Sequence, residues 1–422
     1  MGHHVHHPAH VNGHSHSKPE NASRRAFVSA LISATVLAPW AFGQEQNPAD
    51  IAERYRQMSE DFERQGLAEP FKGVTTNGTV VPGLFQISPS GVSTEPVRNA
   101  AAKFISTLTT VQLARTLFPV DDVEWRKWMN QHFYVRQGIS FQEMTPVQRD
   151  AALGLMSVSL SARGLELTRN IMKLNGTLAE MSNDHVFLGE DLYYITIMGK
   201  PSATDPWGWR MDGHHSSINY FVLGDQVVMT PHFFGSEPVR ATSGKNKGLV
   251  VLQQEQNDGL EMLHALPDAQ RKKAILNFSK TGNNNLLEAF KDNVVLDYAG
   301  SRAADLPAPA QRRLTDLVHL YVSNLDDGHA RVKMEEVTRH IANTYFAWIG
   351  GTEASGVFYY RIHSPVILIE FDHQRPANLA SFAADPSLPT QQHIHCVVRT
   401  PNGNDYGKDL LRQHYLAHPH KA

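Results

Sequence analysis

At 422 residues, with 41% hydrophobic and 19% charged side chains, the chain has apolar material for a large core and none of the polar bias of a disordered one. A formal net charge of −3, with no basic stripe or basic-aromatic module, excludes a nucleic-acid footprint and leaves small molecules or other proteins as partners. The single cysteine, Cys396, excludes an internal disulfide and any multi-thiolate metal site, so a metal would have to be held by nitrogen and oxygen.

The predicted organisation is an export segment over residues 1–43 and one large α+β domain over 44–422. Met1 to Ser17 holds His3, His4, His6, His7, His10, His14 and His16 at uneven spacing; it precedes the signal and would leave with it. Ser23-Arg-Arg-Ala-Phe27 opens the signal, Val28 to Ala38 is a weakly apolar run too short to span a bilayer, and Ala41-Phe-Gly43 offers small residues for cleavage before Gln44. Paired arginines followed by an aromatic one residue later resemble a twin-arginine signal, an address rather than an anchor. A general secretory signal that happens to contain two arginines is the alternative. Either way the mature chain is expected in the periplasm or outside the cell, without a membrane span.

Helices are predicted first. Ile51, Tyr55, Met58 and Phe62 recur at three- and four-residue steps across Ala49 to Gln65. After a Gly/Pro-punctuated, β-like stretch from Val74 to Ile87, Ser93-Thr-Glu-Pro96 supplies a cap and a proline for a helix over Val97 to Leu117. Val123 to Phe133 and Pro146 to Lys173 read as two more. Tyr193 to Met198 alternates as a strand. The stretch Trp207-Gly-Trp-Arg-Met-Asp-Gly-His-His215 then reads as one arm of a hairpin, continued by Ser216 to Val222, a turn at Leu223-Gly-Asp-Gln226 and a return strand at Val227 to Thr230. Leu249 to Leu266 and Gln311 to Val322 restore helix. Met334, Val337, Ile341, Tyr345 and Trp348 predict another, stopped by Gly350-Gly351. Three strands, Val357 to Ile362, Val366 to Phe371 and His393 to Arg399, precede a closing helix from Gly407 to Ala417. Helices thus alternate with two distant strand groups, which predicts an α+β fold with a mainly antiparallel sheet.

The chemistry-bearing residues lie in the strands. His393-Ile-His395 puts two imidazoles on one strand face, the local geometry metal sites use; two solvent-facing histidines would show the same spacing. Glu370 and Asp372 share a face at the end of an apolar strand, where a charge costs several kcal/mol (order of magnitude) unless it is paired or ligating. On a continuous strand His214 would share a face with Arg210 and Asp212, and His215 with Trp207, Trp209 and Met211, unless a bulge at Gly213 reversed them. One of these two with His393, His395 and Glu370 would suit a divalent zinc, iron or manganese ion. Arg210, Arg361 and Arg399 lie beside them and could orient an anionic substrate or form ordinary salt bridges. Cys396 points away from the pair and belongs to the core. No Gly-x-Ser-x-Gly, Walker loop, dinucleotide fingerprint or His-Glu-x-x-His occurs.

Trp207-Gly-Trp-Arg-x-Asp-Gly-His-His215, the Thr230-Pro-x-Phe-Phe-Gly235 turn, Phe358-Tyr-Tyr-Arg-Ile362 with Ile369-Glu-Phe-Asp372, and His393-x-His395 with Asn404-Asp-Tyr-Gly407 together resemble the bacterial domain-of-unknown-function family numbered 3500. The resemblance covers nearly all of the mature chain; it implies a fold-level relative, in a family whose members often bear export signals, and no reaction.

The residues themselves point to a metal-dependent enzyme, hydrolytic or oxidative, acting on a small substrate that the arginines would suit if it were anionic. In it His214, His215, His393 and His395 supply metal ligands, Asp212 and Glu370 ligand or proton-acceptor groups, Arg361 and Arg399 catalytic charge, and Trp207, Trp209 and Arg210 substrate contacts. The alternative is a non-catalytic exported binding protein with Trp207, Trp209 and Tyr220 as an aromatic wall. Nothing in the sequence sets an oligomeric state.

Overall fold

Alternation along the strands decides the architecture. In the computed structural model, which describes residues 1–2 and 47–418, a 13-stranded sheet runs through the chain from Leu117 to Arg399. By its internal contacts the chain divides into residues 1–51 and 52–422. Among the described residues the first unit carries the opening of helix α1 (Pro48–Gly66), while the sheet and every later element belong to the second. The signal and the histidine tract lie outside the described residues, apart from Met1 and Gly2.

The strands are β1 (Leu117–Phe118), β2 (Ile139–Ser140), β3 (Tyr193–Met198), β4 (Trp207–Gly213), β5 (Ser216–Leu223), β6 (Gln226–Val228), β7 (His232–Ser236), β8 (Ile275–Asn277), β9 (Ser301–Arg302), β10 (Tyr345–Gly350), β11 (Phe358–His363), β12 (Leu368–His373) and β13 (Ile394–Arg399). Their main order is β1-β3-β4-β5-β7-β13-β12-β11-β10-β8. Pairing is antiparallel except at the two margins, β1 with β3 and β8 with β10. The two strand groups expected from the sequence meet where β7 lies against β13, His395 opposite Gly235.

Each strand shows one residue set to each side. One face carries Ile195, Trp209, Ile218, Phe234, Cys396, Phe371 and Tyr360, and packs in a single apolar core with the helices. Those helices are α2 (Glu95–Ser106), α4 (Pro146–Ser159), α5 (Ala162–Ser182), α6 (Gln253–Ala265) and α8 (Ala308–Val322). The opposite face carries Arg210, Asp212, Ser217, Asn219, Glu370, Asp372, Arg361 and Arg399, all buried. Irregular segments around residues 120–136 and 280–299 cover it. Buried charge needs partners, and the side chains of those segments and their backbone amides supply them.

Several local expectations change. The helix predicted over 97–117 is two, α2 and α3 (Thr110–Thr116), because Thr109 forms a capping box with Gln112. Likewise Ser161 caps α5 through Gly164 N–H and breaks the helix predicted over 146–173 at the extended Leu160. Only Val123–Arg126 of the 123–133 helix forms, as one 3-10 turn; beyond it the carbonyls of Met129 and Gln131 accept from Arg136 instead of closing helical turns. The helix predicted to reach Trp348 ends at Arg339 in α9 (Asp327–Arg339), and Phe346 and Trp348 follow a period of two into the core as β10. Thr230–Gly235 is the entry to β7 rather than a turn, and 74–87 is irregular apart from a bridge from Thr75 to Val295. Two short helices, α7 (Asp268–Ala274) and α10 (Lys408–Ala417), complete the set. No described helix is long and apolar enough to cross a membrane.

Candidate metal centre

The Trp-His stretch is not one continuous arm. Strand β4 ends at Gly213, which pairs with Ser216, so His214 and His215 are themselves the two-residue tip of the β4–β5 hairpin. The strand-alternation argument for these two residues therefore does not apply. His215, the second central residue of the turn, takes a left-handed backbone, φ 62°. Three bonds fix the tip: His215 N–H to Asn130 O at 3.1 Å, Gly235 N–H to His215 O at 2.8 Å, and Tyr193 Oη–H to His214 O at 2.7 Å.

This turn delivers His215 to the pair on β13. Its Nε2 lies 3.2 Å from Nε2 of His393, which lies 2.9 Å from Nε2 of His395. All three rings are buried, and their ligand atoms fall within 4.8 Å of one another. A tetrahedral ion at the usual zinc–nitrogen distance separates its ligand nitrogens by about 3.3 Å. Gly235 makes room, since a Cβ there would lie 2.6 Å from Ile394 O, 3.0 Å from the His395 ring and 3.3 Å from the His215 ring.

The far nitrogens of the β13 pair are committed. His393 Nδ1 donates to the carbonyl of Arg375 at 2.6 Å, and His395 Nδ1 donates to Glu288 Oε1 at 2.6 Å. In neutral rings each Nε2 then carries a lone pair aimed at the common point. Burial, together with the neighbouring rings, drives His215 well below the usual imidazole range, and burial likewise lowers His393. Burial alone would raise Glu288, but the His395 ring and the amides of Asn285 and Asn130 outweigh it and hold the carboxyl below its ordinary value. A second carboxylate, Glu237, stands 3.9 Å from His393 Nδ1 and accepts the N–H groups of Ala377, Asn378 and Leu379. Converging imidazole nitrogens beside the buried carboxylate of Glu237 and the partly exposed one of Glu288 make a site for a cation.

His214 does not join the three. Its ring stacks on His215 with centroids 3.9 Å apart and its Nδ1 bonds Asn175 Oδ1 at 2.7 Å, while His132 meets it edge-on at 5.5 Å. Burial first, then His132, pushes His214 well below the usual range.

The strand carboxylates and arginines hold the walls of the site instead of its centre. Glu370 accepts from Tyr359 Oη and from the N–H groups of Leu286 and Leu287; Asp372 accepts from Asn284 and Asn285 N–H and pairs with Lys280. Arg399 donates to Leu287 O and Glu288 O and pairs with Asp292 and Asp405. These contacts fasten the 284–288 segment that carries Glu288. On the other side Asp212 accepts from Arg136, Ser217 and Met129 N–H, and Arg210 pairs with Glu124, which together fasten the segment carrying Asn130. Arg361 donates to Asp297 O. The expected roles of Asp212, Glu370, Arg399 and Arg210 at a reacting centre are thus replaced by fixed structural partners.

The aromatic wall is also corrected. Trp207, Trp209 and Tyr220 are fully buried in the core on the helical face, Trp209 stacked on Tyr220 at 5.6 Å, because alternation turns them away from the polar face. Sequence reasoning missed Glu288, Asn130, Glu237 and Asn175. Glu288 follows Asn283-Asn-Asn-Leu-Leu287, an aperiodic run with no local mark of its role.

Fold and site together define an α+β protein with a mainly antiparallel sheet and a buried three-histidine cluster at the junction of its two strand groups. The chain belongs to the family described as Protein of unknown function (DUF3500), whose model matches residues 90–408. No curated protein and no solved structure matches it.

Proposed function

We propose that this chain is an exported metalloenzyme in which His215, His393 and His395 hold one divalent ion, with zinc favoured, and a fourth position is left for water in hydrolytic chemistry. The observation that carries the reading is the 2.9 Å approach of two Nε2 atoms whose rings have already given their Nδ1–H to other acceptors. Two lone pairs at that distance repel unless a cation lies between them. A proton serves one pair only, whereas a metal ion serves all three nitrogens. Three protein ligands with an open position is the pattern of catalytic rather than structural zinc. An all-nitrogen set favours zinc and an activated water over the two-histidine, one-carboxylate arrangement of oxygen-activating iron. The Glu288 side chain, at the far nitrogen of His395, is 24% exposed, while the three imidazoles are buried. Export rests on the signal-like residues 23–43.

The test uses protein lacking residues 1–17, whose histidines would bind metal by themselves. Elemental analysis is expected to find close to one equivalent of zinc, lost in the His393→Ala, His395→Ala double variant. Ester and phosphoester panels should then show turnover that falls with chelation and returns with zinc. Wild-type protein that refuses stoichiometric metal overturns the centre; bound metal without metal-dependent turnover overturns the enzyme.

A further inference from the structure

A second cavity, of about 480 Å³, lies apart from the histidine cluster, and none of the three converging histidines lines it. It sits at the far end of β7 and β13, where His232 faces Val398 across the strand pair, and is closed by α8, α9 and the 83–90 segment. Phe85, Val228, Leu325, Val332, Ile367 and Val398 give it apolar walls. Its volume is within the range of small-molecule sites.

The polar groups of the wall are nearly all engaged with one another. Thr230 donates to Thr400 at 2.8 Å; Lys333 pairs with Glu336 at 2.6 Å and reaches Val366 O; His329 binds Asp326 and Asp225 O; Gln226 binds Ser88 N–H and Gln86 O. Among the buried polar groups of the wall His232 is the exception. It is 3% exposed, its ring lies 4.7 Å from that of Phe234, and neither ring nitrogen has a hydrogen-bond partner among the described residues. Buried polar side chains are almost always hydrogen-bonded, so one left open onto a cavity marks where a guest's polar atom belongs. Burial drives the ring down to about 3, so it is neutral at ordinary pH and offers one donor and one acceptor. The cationic Lys333 is already neutralised by Glu336, and Arg339 at the end of α9 is exposed. Arg339 and His340 reach the cavity from the end of α9 without an ion pair among the described residues, and the octanoate comparison below tests whether they draw a charged guest.

We propose that this cavity binds an uncharged, mainly apolar organic molecule that carries a hydroxyl or carbonyl oxygen, with His232 as its single hydrogen-bonding anchor. The apolar walls supply affinity and the imidazole fixes orientation. The site is independent of the metal centre, and its occupancy is read without activity.

Binding of octan-1-ol, cyclohexanol and 2-naphthol to the full chain is measured by saturation-transfer NMR and calorimetry, with octanoate as the charged comparison. At least one alcohol is expected to bind, and more tightly than octanoate. His232→Phe, which keeps a ring against Phe234, should weaken it by about 3- to 10-fold, the effect of one hydrogen bond. Val228→Trp should fill the cavity and abolish binding, with the melting temperature and metal content of both variants near wild type. Failure of all three alcohols to bind, leaving a cavity that holds water only, overturns the proposal. So does an affinity untouched by both variants, or a preference for octanoate, which would make this an anion site.

Discussion

Glu370 accepts the backbone N–H of Leu287 at 3.1 Å, and the next residue, Glu288, holds Nδ1 of His395 at 2.6 Å. A strand carboxylate that could itself have been a ligand thus acts at one remove, by fastening the loop whose own carboxylate orients the histidine. The same arrangement recurs across the sheet, where Asp212 takes Met129 N–H and the adjacent Asn130 takes the His215 N–H.

Glu288→Gln tests the orienting role. The amide oxygen still accepts from His395, but the negative charge beside the ring is gone. Zinc affinity, measured by competition with a chromophoric chelator, should fall by about 10- to 100-fold, the usual effect of an outer partner of a metal-bound histidine. The melting temperature of the metal-free protein should change little. An unchanged affinity would remove Glu288 from the centre.

Glu370 gives a pH signature. Burial raises its carboxyl from the usual 4.5 to about 7, against the opposing effects of Tyr359, Arg361 and Leu286 N–H. The folded protein therefore binds this proton more tightly than the unfolded chain. Its contribution is fully present below about 4.5 and is lost as pH rises through about 7, a swing on the order of 3 kcal/mol. A glutamine can accept from Leu286 and Leu287 while donating to Tyr359. Urea unfolding of wild type and Glu370→Gln at pH 5 and pH 8 should show the variant gaining on wild type at the higher pH. A stability difference that does not move with pH would contradict the raised carboxyl.

Neighbouring histidines at the hairpin tip should differ sharply. His215→Ala should lower zinc affinity by more than about 100-fold, and His393→Ala and His395→Ala should do the same, since each removes a ligand rather than an outer partner. His214→Ala, which removes a ring stacked beside the site, should retain near-stoichiometric zinc. Cobalt substitution gives an independent readout, because visible bands of a four-coordinate ion should persist in the His214 variant alone. Loss of metal from it would place His214 among the ligands.

Gly235→Ala should injure the site through packing. The added methyl would meet the immovable Ile394 carbonyl at 2.6 Å as well as two imidazole rings. Overpacking of this kind costs about 1–3 kcal/mol, readable by urea unfolding, and the displaced rings should bind zinc more weakly. Wild-type behaviour on both counts would show that the rings have slack around them.

By itself the sequence determined the class of fold, the two strand groups, most helices and the His393-x-His395 pair, because alternation and helical periodicity are local and each strand's buried face is written in its own residues. It mislaid helix ends at Thr109 and Ser161, where cap residues sit inside apolar periodicity, and it ran Trp348 into a helix because aromatic residues fit either period. Tertiary structure alone decided the rest. Whether His214 or His215 meets the pair depends on where the β4–β5 hairpin turns, and Glu288 reaches His395 from 107 positions away only because Glu370, Asp372 and Arg399 hold its loop against the sheet. Such convergence comes from which strands lie side by side, and no spacing within one segment records it.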